Sequence, residues 1–146
     1  MKKNILILFL FLIHPVFAGG VGYINYEKVA DNYKFAQNVM KDIEKKGLEI
    51  EIFLKTKEAE FNKLETPLQK QKFQESVQVE LRNRETAFNS YREQKEEEVY
   101  RKIYAVAEKI RLEKQLDILI DARGVFSGGI DITDSLIQRL NMNGAK

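Results

Sequence analysis

From Tyr33 onward, positions able to pack against a neighbour recur at Tyr33, Ala36, Met40, Ile43, Gly47, Ile50, Leu54, Lys57, Phe61 and Leu64. The steps alternate three and four without interruption, which predicts a long helix with a heptad seam. Gly47 and Lys57 are its weak points. A glycine costs a helix about 1 kcal/mol relative to alanine, and lets a second helix approach closely. Glu65-Thr66-Pro67 stops this helix, because proline disfavours helical geometry in the residue before it. The same residues suit a new start, with Thr66 as N-cap and Pro67 in the first turn. A second helix is predicted from Pro67 to about Lys114, marked by Phe73, Val77, Leu81, Phe88, Tyr91, Val99, Ile103, Val106 and Ile110. Joined by so short a turn, the two must run antiparallel. At 1.5 Å per residue the second is roughly 70 Å long, so the chain has an arm.

An antiparallel arm returns the chain to its starting point, so both ends must meet. Val21-Gly22-Tyr23-Ile24-Asn25 reads as a short strand. Leu116 to Asp121 alternates, which predicts a strand with Leu116, Ile118 and Ile120 on one face and Asp117, Leu119 and Asp121 on the other. After Gly128-Gly129, Ile130-Asp131-Ile132 reads as a third strand, with Val125-Phe126 as a candidate neighbour. Thr133 can cap a closing helix from Asp134 to Leu140, with Leu136, Ile137 and Leu140 inward. The expected fold is α+β: a helical hairpin arm over 31–114, its tip near 65–67, on a body built from 19–30 and 115–146. Three strands leave two bare edges and one uncovered face, so the body is expected to assemble with further copies. Tyr23, Ile118, Leu119, Ile120, Ile130 and Ile132 are the residues assigned to that oligomeric body.

The first eighteen residues belong to neither part. Met1-Lys2-Lys3, the apolar run Ile5–Ile13 and the small residue Ala18 have the layout of a cleaved signal peptide. Nine apolar residues reach only about 14 Å as a helix, too short to span a bilayer. Cleavage after Ala18 removes Lys2, Lys3 and His14, leaving 22 basic against 22 acidic residues and neither His nor Cys. No thiol nucleophile, histidine base or Cys/His zinc site is then available, so no enzyme activity and no cofactor are expected. Zero net charge argues against nucleic-acid binding.

Val21–Val29, Leu116–Asp121, Gly129–Asp134 and Leu136–Asn141 together resemble the Skp/OmpH family of periplasmic chaperones; the arm agrees in pattern only. That resemblance implies a jellyfish-shaped homotrimer in which a β-barrel body carries three arms around a cavity. It also implies an ATP-independent holdase in the periplasm, guarding unfolded outer-membrane proteins in transit. Studied members are basic whereas this mature chain is neutral, so at most weak contact with a membrane surface is expected. The alternative function is a coiled-coil adaptor of the cell envelope that docks one folded partner.

Leu48, Ile52, Phe53, Phe61 and Phe73 are the client-binding candidates. Leu48, Ile52 and Phe53 lie off the heptad seam, where they either line a client cavity or pack on a neighbouring arm; Phe35 and Val39, nearer the root, read as packing residues. Seven basic residues against five acidic ones lie between Lys55 and Arg84, a pattern that also suits an ordinary solvated helix. Asp117, Asp121, Asp131 and Asp134 have no metal-loop spacing, and Gly124, Gly128 and Gly129 read as turns rather than a phosphate loop.

Overall fold

A computed structural model describes residues 19–143, so the signal peptide expected over 1–18 lies outside the described residues. The elements are β1 (Gly20–Ile24), α1 (Tyr26–Asn32), α2 (Lys34–Phe61), α3 (Pro67–Glu113), β2 (Leu116–Asp121), β3 (Ile130–Asp131) and α4 (Thr133–Asn143). Helices α2 and α3 form the antiparallel arm. Thr66 accepts from the Gln69 backbone N–H while the Gln69 side chain accepts from that of Thr66, a reciprocal cap with Pro67 in the first turn. Helix α2 stops at Phe61, so the turn occupies 62–66 and Leu64 falls within it rather than in the seam.

A short helix that was not expected, α1, precedes the arm and is set off from α2 at Tyr33. Asn25 caps α1 by accepting from the Lys28 N–H, and Tyr33 then takes an extended conformation between α1 and α2. Asn141 of α4 supports the break: its side-chain amide donates to the Asn32 carbonyl at 2.9 Å and accepts from the Lys34 N–H at 2.9 Å. Backbone groups that a continuous helix would have paired internally are thereby satisfied from the other end of the chain. Tyr33 itself is buried.

The sheet is parallel throughout, in the order β2-β1-β3, so β1 from one end of the chain lies between two strands from the other. A register shift at Gly20/Val21 pairs Gly20 with Leu116 and Val21 with Ile118. This irregularity corrects the expected alternation of β2. Leu116 is buried and Leu119 packs on the core, while Ile118 is exposed. A Cβ on Gly22 would meet Leu119 and Leu116 side-chain carbons at 2.5 and 2.6 Å, so this position admits no side chain without rearrangement. Gln115, at φ 52°, makes the tight turn from α3 into β2, and Arg111 spans it by donating to the Leu116 carbonyl at 2.6 Å. Val125 and Phe126 lie in no strand, a second correction.

The core joins Val29 of α1, Ile103 and Ile110 of α3, Ile132, and Leu136 and Leu140 of α4, and continues up the arm to Ile43 and Val99. Thr133 lies inside α4 rather than before it; its backbone N–H is taken by the Asp131 carboxylate at 2.8 Å.

Candidate functional site

Along the arm, the seam follows Ala36, Val39, Ile43 and Phe53, all buried, whereas Met40 and Leu54 face solvent. Two of the ten expected seam positions are thus replaced by their neighbours. In each case the inward residue stands one position before the expected one: Ala36–Val39–Ile43 steps three then four where Ala36–Met40–Ile43 would step four then three, and either order keeps the seam on one side of the helix. Gly47 sits beneath Phe88, whose ring carbon would lie 3.6 Å from a Cβ there. Outside that point aromatic rings and cations hold the helices together. The Arg84 guanidinium lies 4.4 Å from the centre of the Phe53 ring, and Lys57 stands between Phe53 and Phe73 at 5.7 and 5.8 Å. Phe61 and Phe73 meet at 6.3 Å near the tip. Lower down, the Tyr91 hydroxyl donates to the Asp42 carboxylate, which together with burial raises the phenol above its usual range.

The five client-binding candidates therefore divide. Leu48 and Ile52 are 52% and 55% exposed and one turn apart on α2, and Ile52 borders a groove with Phe53, Glu80 and Arg84. Phe53 is 8% exposed and belongs to the seam, so packing is its role in the single chain. Phe61 and Phe73 are half-buried and share a groove of about 360 Å³ with Leu54 and Val77.

In the body, paired residues point the same way across the sheet. Val21 pairs with Ile118 and Tyr23 with Ile120, so these four share one face, on which Val21 and Ile118 are exposed and Tyr23 and Ile120 half-buried. The opposite face carries Gly22, Leu116 and Leu119 against the core. Ile130 is exposed at the β3 edge. Ile132 departs from its expected place on the assembling surface: it is fully buried in the core of its own chain, one residue past the strand.

A cleft of about 580 Å³ runs between α3 and β2, walled by Tyr26, Tyr100, Tyr104, Ile118 and Ile120. Tyr100 and Tyr104 stack with ring centres 6.2 Å apart, and Tyr26 stands 6.5 Å from Tyr100. Burial, then the proximity of Tyr100 and Glu96, raises the Tyr26 phenol. Sequence reasoning missed this cleft, although Tyr100 and Tyr104 are four residues apart and off the apolar row of α3, which was its available signal. Among the described residues no cluster of acidic, histidine or cysteine side chains is placed to hold a metal ion, and no helix is long and apolar enough to cross a membrane.

The sequence profile described as "Outer membrane protein (OmpH-like)" matches residues 20–140, which takes in β1, the whole arm and most of α4. The chain belongs to the OmpH-like family. Among solved structures it is similar to an outer membrane chaperone (OmpH-like) from Caulobacter crescentus CB15, at 12% identity over 86% of this chain and 85% of that one, with a TM-score of 0.41. No curated protein matches it. The span shared with the OmpH-like family includes both ends of the body and the two clasps that join them. Asn25 donates its backbone N–H to Thr133, and Lys28 pairs with Asp134 at 2.7 Å.

Proposed function

We propose that this OmpH-like chain is a non-enzymatic, ATP-independent holdase of the periplasm. It assembles through its β body and shelters unfolded outer-membrane proteins between its arms. The carrying observation is the bare apolar face of the sheet, Val21, Tyr23, Ile118 and Ile120, beside an arm that exposes Leu48 and Ile52. A small parallel sheet normally has both faces covered, and closing several sheets together would cover this one and remove the free edges. Trimeric assembly, as in the family's jellyfish form, then places three arms around one space. Scattered apolar side chains on charged helices suit weak contact with many unfolded sequences rather than one fixed partner. Export by the signal peptide over 1–18 delivers the chain to its compartment.

The test is to present the purified chain with several unrelated β-barrel proteins diluted from denaturant, and to follow light scattering together with native mass. A holdase suppresses aggregation of all of them at low stoichiometry and has the mass of a trimer. Indifference to unfolded barrels, with retention of one native envelope protein, would instead establish the adaptor reading.

A further inference from the structure

Gly19, the residue before β1, is packed against a charge. A Cβ added there would fall on the Asp117 carboxylate, so the two cannot share the space. The Gly19 nitrogen lies two bonds from that position, which puts the carboxylate within about 4 Å of it. Asp117 owes this placement to the register shift between β1 and β2. Gly20 pairs with Leu116 and Val21 with Ile118, leaving Asp117 as the extra residue, and an extra residue of this kind re-aims its side chain. The cations of this region are held by other acids. Arg111 of α3 is paired with Glu108 at 2.6 Å and reaches only the Asp117 carbonyl, at 3.4 Å. Arg123 is paired with Asp121 at 2.9 Å. The Asp117 carboxylate therefore faces the start of the mature chain with neither of them.

We infer that removal of residues 1–18 creates the partner of Asp117: the Gly19 α-ammonium forms an ion pair with its carboxylate and clasps the first mature residue to β2. Before cleavage the Gly19 nitrogen belongs to a neutral amide. Hydrolysis of the Ala18–Gly19 bond by a signal peptidase uses one water, giving Ala18 a carboxyl group and Gly19 an amine. With an ordinary pKa near 8, that amine takes up a proton at neutral pH. The attraction thus exists only in the processed chain, and export itself tightens the junction of β1 with β2 beside Val21 and Ile118. Glycine at the new end leaves the carboxylate its room. Asp117 is exposed, so the pair adds modestly to stability, and the titration of the amine is the more sensitive reading. This inference rests on the export proposed above and says what the new chain end does.

The test expresses the full-length chain and weighs the exported protein to identify its first residue. The rate of N-terminal acylation against pH, separated from the lysines by peptide mass, then gives the pKa of the α-amine. It is expected to stand about half a unit or more above the ordinary value near 8. Asp117→Asn should return it to that value by removing the charge. Gly19→Ala should do the same by displacing the carboxylate with a methyl group. A chain that begins at Gly19 and whose amine titrates alike in the parent and both variants overturns the clasp and leaves the export reading standing. An exported chain that begins at another residue, or a chain that keeps its first eighteen residues, overturns the clasp together with cleavage after Ala18.

Discussion

The hydroxyl of Thr133 accepts the backbone N–H of Asn25 at 3.0 Å, joining positions 108 residues apart. Thr133 is buried, and its backbone N–H donates to the Asp131 carboxylate at 2.8 Å. One side chain thus closes the chain onto itself where β1 gives way to α1. Replacing it by valine preserves the shape but leaves the Asn25 N–H without its partner in a partly buried place. Thr133→Val is expected to lower unfolding free energy by about 1–3 kcal/mol, and Thr133→Ser by less. Denaturant titration checks the order, and a larger loss for Thr133→Ser than for Thr133→Val would show that the methyl group rather than the hydroxyl matters.

The same junction gives a pH dependence of known sign. The Thr133 hydroxyl and then the Thr133 backbone N–H hold Asp131 below the usual carboxylate range. A pKa lowered by folding means that the ionised form favours the folded chain. Its contribution is complete above the ordinary value near 3.9 and is lost as pH falls through the lowered folded value. Asp131→Asn should therefore melt earlier than the parent chain at pH 7, with the gap closing toward pH 2. A gap that stays constant across this range would remove Asp131 from the acid response.

Gly47 is the opposite case, a residue that the arm carries at a loss. It lies within α2 with no positive φ to require glycine, and an added Cβ would stand in ordinary contact with Phe88 at 3.6 Å. Gly47→Ala should therefore stabilise the chain by up to about 1 kcal/mol through helix propensity. A lower melting temperature would mean that Phe88 cannot accept even one methyl group.

Much of the architecture was legible because it follows from local chemistry. Thr66, Pro67 and Gln69 fix a helix start by their own side chains, and the meeting of the chain ends follows from an antiparallel arm. The misreadings share one origin, which is information held elsewhere in the molecule. Val39-Met40 and Phe53-Leu54 each offer two adjacent apolar residues, and only the phase of α2 against α3 selects Val39 and Phe53. The break at Tyr33 depends on the amide of Asn141, and the exposure of Ile118 on a register shift in its partner strand. For the candidate site, periodicity marked Leu48, Ile52 and Phe53 as off the expected seam but could not separate them.

Their separation is itself testable, because the structure sets neighbouring residues to different work. Leu48 and Ile52 are exposed and contribute little to folding, so Leu48→Ser with Ile52→Ser should change stability by no more than about 0.5 kcal/mol per site. The same pair should weaken the suppression of aggregation of an unfolded β-barrel protein, since it removes apolar surface open to a client. Phe53 is buried in the seam beneath Arg84, and Phe53→Ser should cost about 2 kcal/mol or more. Where that variant remains folded, its holding of clients should be nearly unchanged. Denaturation curves and light scattering on both variants give a crossed pattern if the division is right. Loss of holding in Phe53→Ser at full stability, with the surface pair unaffected, would place the client on Phe53 instead of on Leu48 and Ile52.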